Sequence, residues 1–121
     1  MTSQKSELAG VGVDIEEIAR FKNKPFEENK AFYEKIFSEA EIGYCLGKHF
    51  PYQHFAARFC AKEAFIKASG KKLNPSDIEV LREENEPKLR VKGFKNLQAQ
   101  VSLAHAKDYA IAFVILTKLG D

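Results

Sequence analysis

The sequence predicts a single α+β domain in which one long helix packs on a small, mostly antiparallel sheet. Three observations favour this fold class. An apolar strand pattern opens the chain, helical patterns fill its middle, and four more strand patterns follow the longest helix. Segregated strands and helices are typical of α+β folds rather than of alternating α/β folds. A length of 121 residues suits one domain, which we expect to span residues 1–121.

The first half of the chain contains one strand and three helical segments. The apolar pattern of Leu8, Val11, Val13 and Ile15 predicts a strand, whose run ends at Asp14, and Gly10 and Gly12 would let another backbone approach closely. Helical patterns follow over residues 15–21 and 26–37. Ser38-Glu39-Ala40-Glu41 has the form of a capping box, so a third helix should begin there and end near Gly47.

The second half begins with the longest helix and continues as strands. Pro51 can open a helix over residues 52–69, and Gly70 can end it in a left-handed conformation. Residues 74–77 (NPSD) are typical of a turn. Strands are predicted over residues 78–82, 88–92, 97–105 and 109–117. The last is apolar on both faces, which fits either a central strand or a strand at a subunit interface.

Composition excludes several classes of protein. Nineteen Lys and Arg against 17 Asp and Glu give a net charge of +2, too weak a bias for a dedicated nucleic-acid binder. Cys45 and Cys60 form no C-x-x-C pair, so reduced thiols in a cytosolic protein are expected, and no secretory leader is recognised. The longest apolar stretch, residues 109–116, is too short to cross a bilayer. We expect a cytoplasmic domain without membrane contact.

The long helix carries charges in unexpected places. On a helical wheel, Arg58, Lys62 and Ser69 share the sector expected to face solvent, whereas Glu63 and Lys67 fall inside the apolar arc. Unpaired charges on a buried face are costly. Either Glu63 and Lys67 pair with each other, or they line a charged cleft in which Glu63 binds a cation and Lys67 contacts a phosphate.

A cation requires a second anionic ligand, for which Asp14 is the best candidate. Two carboxylates together with waters and substrate phosphates are the usual ligands of Mg²⁺. Asp14 could instead be a helix N-cap. His105, which period two places on the inward side of its strand, could contact a phosphate or serve as a core residue. Cys60 lies among alanines and is expected to be an inert packing thiol.

Three ordered blocks carry a family resemblance. They are residues 10–21 (GVGVDIEEIARF), residues 37–41 (FSEAE) with 55–68 (FAARFCAKEAFIKA), and residues 101–105 (VSLAH) continuing to Tyr109-Ala110. In order and spacing they resemble the holo-acyl-carrier-protein synthase type of 4'-phosphopantetheinyl transferase. The loop that starts Ser69-Gly70-Lys71-Lys72 departs from this family's usual Gly-Thr-Gly-like pattern.

The resemblance implies an activity and its residues. Asp14 and Glu63 look like Mg²⁺ ligands, Lys67 like a pyrophosphate contact, and Arg58 and His105 like contacts to the phosphates of coenzyme A. Glu63 would also orient or deprotonate the attacking group. The implied reaction moves 4'-phosphopantetheine from coenzyme A to a serine of an apo acyl carrier protein, in fatty acid biosynthesis, and releases adenosine 3',5'-bisphosphate.

The resemblance also implies partners. Arg20, Phe21 and Lys24 fall where the family's first helix meets the acidic carrier, with Lys22 as a further contact. Chains of this short type resemble half of the longer transferases and form homotrimers with active sites between neighbours.

Other functions fit less of the sequence. Gly10-Val11-Gly12 lacks the third glycine of a dinucleotide-binding turn. A binding module could dock an acidic protein or RNA through residues 20–24, but it would not need Glu63 and Lys67. A homologue that binds coenzyme A without transferring its arm is the other alternative.

Overall fold

The computed structural model describes residues 6–119, which form five strands and four α-helices. The strands are β1 (Ser6–Glu17), β2 (Ile78–Glu83), β3 (Glu86–Val91), β4 (Leu97–His105) and β5 (Tyr109–Leu119). The helices are α1 (Ala19–Lys22), α2 (Lys30–Ile36), α3 (Glu39–Leu46) and α4 (Pro51–Ser69). Single 3₁₀ turns at Phe26–Glu28 and Pro75–Asp77 complete the set. The predicted α+β class is confirmed.

The strands form two antiparallel sheets. β5 lies in the centre of a three-stranded sheet, flanked by β1 and β4, and β2 pairs with β3 as a separate hairpin. The central position of β5 accounts for the apolar residues on its inner face. The four strands predicted after the long helix are confirmed, with β5 two residues longer than expected.

Local signals placed the ends of α3 and α4 correctly. Ser38 caps α3 by accepting from Glu41 N at 3.2 Å, while Glu41 Oε1 accepts from Ser38 N at 2.8 Å. Pro51 is the first residue of α4, and Gly70 ends it with φ at +67°. Each of these features satisfies or removes a backbone group that a helix end leaves unpaired.

The first helix was predicted too early. Residues 15–17 belong to β1, because Ile15 and Glu17 pair with Ile111 and Tyr109 of β5. α1 is only four residues long, and the predicted helix over residues 26–37 divides into a 3₁₀ turn and α2. Asp14 therefore lies within a strand, and the alternative that it caps a helix is wrong; the α1 N-cap is Ile18.

Helix α4 packs across the inner face of the sheet at very short range. A Cβ built on Gly12 would lie 1.9 Å from the carbonyl oxygen of Ala64, and one on Gly10 would lie 1.9 Å from that of Ala68. The close backbone approach predicted for these glycines is confirmed. It fixes the distance between β1 and α4, the two elements that carry the predicted site.

The predicted solvent face of α4 is wrong. Arg58 and Lys62 are only 3% and 1% exposed, and Ser69 is partly buried. Glu63 is half-buried, and Lys67 is exposed rather than buried, with its side chain 57% accessible. The reason is tertiary: α4 is enclosed by β1 and β5 on one side and by α1, α3 and β2 on others, so nearly its whole middle is covered.

The outer face of the three-stranded sheet is apolar and exposed. Its members have 40–57% of their surface accessible: Val11, Val13, Ile15, Ile111 and Phe113. These residues alternate with the buried ones along β1 and β5, as period two requires. Within residues 6–119, no helix is both long enough and apolar enough to cross a membrane.

Candidate active site

Strand β1 and helix α4 bring Asp14 and Lys67 into contact. Period two places Gly12 and Asp14 on the face of β1 that meets α4, and Asp14 is 9% exposed. Lys67 Nζ donates to Asp14 Oδ1 at 3.0 Å and to the carbonyl oxygen of Val13 at 3.1 Å. The hydrogen bond to Asp14 raises the pKa of Lys67, so its ammonium is charged across the physiological range.

Glu63 lies one helical turn before Lys67 and within electrostatic range of Asp14. Burial, and next the Asp14 charge, raise the pKa of Glu63, while Lys67 and Arg20 oppose the shift. The structure therefore brings together the three residues predicted as catalytic. Lys67 forms its ion pair with Asp14 rather than with Glu63, so the alternative that Glu63 and Lys67 simply pair with each other is wrong.

The second oxygen of Asp14 is left unsatisfied. Oδ2 is buried and has no hydrogen-bond partner among the described residues. A buried polar atom without a protein partner is costly, so a bound water or ion is the simplest partner for it. Here the orphaned atom is a carboxylate oxygen next to a second acid, which is the arrangement that attracts a cation.

Glu16 is a further acid beside Asp14 at the candidate site, and the sequence analysis did not point to it. It lies two residues after Asp14 on the same face of β1, and its carboxylate accepts from Arg20 at 2.9 Å. Burial and the neighbouring Asp14 raise the pKa of Glu16, and Arg20 lowers it. The D-x-E spacing would have revealed it had residues 15–17 been read as strand.

A cluster of basic side chains surrounds the first half of α4. The guanidinium of Arg58 lies 3.9 Å from the ring centroid of Tyr44, and Lys48 Nζ lies 4.5 Å from the same centroid. The ring of His54 stacks edge-on against Tyr44 at 5.9 Å and lies 6.2 Å from that of His105. The ring of Tyr44 thus contacts two cations and an imidazole near the N-terminal half of α4.

The electrostatics of this cluster favour an anion. Burial lowers the pKa of His54, and the nearby Arg58 and His105 lower it further. Arg58 Nε is buried and has no hydrogen-bond partner within residues 6–119. His105 ends β4 on the inner side of the sheet, as predicted, since it pairs with the buried Ala110, but it is exposed at the end of the strand, with its ring within reach of that of His54.

The residues predicted to meet a carrier protein lie at α1. Arg20 and Lys24 are exposed, and the guanidinium of Arg20 stacks 4.8 Å from the ring centroid of Phe59. Phe21 is 0% exposed, so its side chain belongs to the core and lies beneath this surface rather than on it. Its ring packs within 6.2 Å of those of Phe32, Tyr33, Phe37 and Phe59.

Both cysteines are packing residues, as predicted for Cys60. Each is fully buried, and burial raises the pKa of each thiol to about 12. Cys60 Sγ donates to the carbonyl oxygen of Ala110 at 3.2 Å. A thiol with such a pKa holds almost no nucleophilic thiolate at neutral pH.

Comparison with known proteins identifies the class. The profile of the 4'-phosphopantetheinyl transferase superfamily matches residues 10–114, which include most of β1, all of α4 and every residue of the candidate site. The chain belongs to this superfamily.

Its relatives within the superfamily are holo-[acyl-carrier-protein] synthases. Those of Chloroherpeton thalassium and Thermodesulfovibrio yellowstonii are 41% and 40% identical over 88% and 91% of this chain, and over 95% and 99% of their own lengths. The Bacillus anthracis holo-(acyl-carrier-protein) synthase, solved with coenzyme A (3',5'-ADP), has a TM-score of 0.80 at 28% identity and covers 96% of this chain and 99% of its own. The Helicobacter pylori synthase in complex with coenzyme A has a TM-score of 0.75 at 29% identity, covering 88% and 98%.

Proposed function

We propose that this chain transfers the 4'-phosphopantetheine arm of coenzyme A to a serine hydroxyl of an apo acyl carrier protein. The observation that carries this is the convergence of Asp14, Glu63 and Lys67 where β1 crosses α4. A pair of acids beside an exposed ammonium suits the cleavage of a diphosphate, in which charge develops on phosphoryl oxygens. The named relatives and the coenzyme A complexes of similar structures support the same reaction.

Glu63 and Lys67 have complementary roles in the proposed step. The raised pKa makes Glu63 a stronger base than an ordinary carboxylate, suited to accepting the serine proton. The serine oxygen then bonds to the β-phosphorus of coenzyme A, and the bond from that phosphorus to the bridging oxygen breaks. Adenosine 3',5'-bisphosphate leaves with that oxygen. Lys67, anchored by Asp14 but with an accessible tip, steadies the phosphates.

The residues also fit a Mg²⁺ ion, which Asp14 and Glu63 would hold. The orphaned Oδ2 of Asp14 supports this, because a divalent cation would satisfy it. No three His, Cys, Asp or Glu side chains of residues 6–119 are grouped to hold a metal alone. The remaining ligands would therefore be waters and substrate phosphates, the usual mode for Mg²⁺. When bound, the ion would neutralise charge that develops on the diphosphate.

The basic cluster around Tyr44 is suited to the adenosine end of coenzyme A. Arg58 and His105 were predicted to contact its phosphates, and His54 and Lys48 lie beside them. A phosphate there would give the buried Nε of Arg58 a partner and offset the mutual repulsion of these cations.

The exposed cations of α1 and of the residues that follow it are suited to an acidic carrier. Arg20 and Lys24, with Lys22 between them, form the docking surface in this proposal, and Phe21 supports it from the core. Charged groups at the rim of an interface chiefly accelerate and orient the encounter.

The exposed apolar sheet face supports the proposed homotrimer, with active sites between neighbours. Exposed apolar patches of this kind usually mark an interface. Sedimentation velocity measures the assembly directly, and a monomer at working concentration would contradict it. Placement in the cytoplasm and in fatty acid biosynthesis belongs to the same proposal and follows from the substrate.

The direct test is carrier modification. The chain is incubated with coenzyme A, Mg²⁺ and an apo acyl carrier protein, and intact mass spectrometry measures the carrier. We expect a gain equal to the phosphopantetheine arm, lost with E63Q and retained with E34Q, an equivalent change at an exposed position on α2. An unmodified carrier, or full activity of E63Q, would refute the assignment.

A further inference from the structure

The ammonium of Lys62 is buried at the junction of four elements. Lys62 is 1% exposed, and its Nζ lies 2.8 Å from Glu41 Oε1 in α3. It also lies 2.9 Å from the carbonyl oxygen of Ile36 in α2 and 2.6 Å from that of Ile78 in β2. The carbonyl oxygen of Pro75 completes the set at 3.2 Å. Four acceptors share three N–H groups, so the side chain is held from several directions.

Glu41 is equally constrained. Its Oε1 accepts from Ser38 N as well as from Lys62, and its Oε2 accepts from Val80 N at 2.8 Å. The carboxylate therefore ties the start of α3 to β2 while it pairs with α4. In Asp14 only one carboxylate oxygen has a partner, whereas in Glu41 both have one. The Lys62–Glu41 pair therefore has no free oxygen for a ligand.

Stability alone is a weak reason for such a pair. Desolvation of two charges largely cancels their attraction, and apolar residues of similar volume often stabilise a fold as well or better. What a closed, multiply bonded pair provides is a fixed position. Lys62 holds one flank of α4, and the glycine contacts of β1 hold the opposite flank.

We propose that the Lys62–Glu41 pair is a positioning device for catalysis, which holds α4 so that Glu63 stands beside Asp14. Glu63 follows Lys62 directly, so a slide or rotation of the helix at Lys62 is transmitted to the Glu63 carboxylate. This inference rests on the proposed function. A shift of about 1 Å in a reacting group costs on the order of 10²-fold in rate.

The test uses a double variant that removes both charges. K62M/E41Q preserves side-chain volume, and the amide oxygen of Gln can still accept from Val80 N. We expect kcat to fall roughly 10- to 100-fold while KM for coenzyme A stays within about twofold. Mn²⁺ affinity, measured by electron paramagnetic resonance without substrate, should weaken because Glu63 is displaced from Asp14. The control L116A opens a cavity in β5, a strand that gives no hydrogen bond to Lys62 or Glu41, and should lower Tm without these changes.

The outcomes separate this inference from the proposed function. Wild-type kcat and Mn²⁺ affinity in K62M/E41Q would overturn the positioning role, as would an equal kcat loss in L116A. If the double variant fails to fold, E41D replaces it, because Asp keeps the negative charge on a side chain one methylene shorter. The same changes in kcat and Mn²⁺ affinity are then expected, and wild-type values would overturn the positioning role. Absence of transfer by the wild-type chain would instead overturn the proposed function, and the Mn²⁺ comparison would still decide the positioning role.

Discussion

Substitution of Gly12 by Ala is the most direct way to separate the two halves of the site. The added Cβ would lie 1.9 Å from the Ala64 carbonyl oxygen, whereas ordinary contact begins near 3.4 Å. Neither partner is a flexible side chain, so β1 and α4 must move apart by roughly 1.5 Å. Asp14 is two residues along the same strand and moves with it, away from Glu63.

The expected effects follow from that displacement. Overpacking of this kind costs about 1–3 kcal/mol of unfolding free energy, and each kcal/mol lowers Tm by about 4 °C in a chain of this size. Loss of alignment between Asp14 and Glu63 should lower carrier modification on the order of 10²-fold. The assays are thermal unfolding by circular dichroism and initial rates of carrier modification well below the variant's Tm.

The chain offers a matched control in Gly43. It lies within α3, and a Cβ added there meets nothing within 4 Å. G43A should leave activity unchanged and raise stability by about 0.4–1 kcal/mol, because Ala favours the helix and restricts the unfolded chain. Wild-type activity and Tm in G12A would refute the reasoning, since the short approach of β1 to α4 would then have no consequence.

Three further predictions address separate parts of the site. K67A should slow transfer strongly with little change in Tm, because its ammonium is accessible; substantial unfolding would indicate a structural ion pair with Asp14 instead. R20E should raise KM for the carrier but leave coenzyme A binding by calorimetry unchanged, and weaker coenzyme A binding would contradict the assignment. His54 should titrate by NMR below 6.5 in the free protein and at higher pH with coenzyme A, because phosphate would offset the neighbouring Arg58; an unchanged midpoint would exclude phosphate there. Since the folded-state pKa of His54 is lowered, its contribution to stability should be lost as pH falls below about 6.5.

Features specified by neighbouring residues could be predicted from the sequence. The capping box at Ser38 and the left-handed Gly70 depend on a few adjacent residues and appeared where expected. The convergence of Asp14, Glu63 and Lys67 was also predicted, from the charges in the apolar arc of the long helix and from the family resemblance of the blocks that contain them. The boundary at residues 15–17 was not, because the pairing of β1 with β5 joins residues nearly 100 positions apart, as in Glu16 with Ala110.

The helical wheel predicted the wrong solvent face for α4, and the reason is a different one. It assigns polar residues to solvent, and Lys62 became buried because carbonyl oxygens of α2 and β2 and the carboxylate of Glu41 converge on it. Those acceptors are distant in sequence from Lys62, and two of them are backbone carbonyl oxygens, which every residue has, so the sequence does not indicate them. Arg58 was misplaced in the same way, since its contact with Tyr44 spans two helices.

The two shielded thiols have a practical consequence for studying this protein. Because Cys45 and Cys60 are fully buried with pKa values near 12, maleimide reagents should leave them unmodified at neutral pH. A cysteine introduced at the exposed Asn23, beside the cationic surface of α1, could then be labelled alone. A fluorophore there would report binding of the carrier in real time, without removal of either native cysteine.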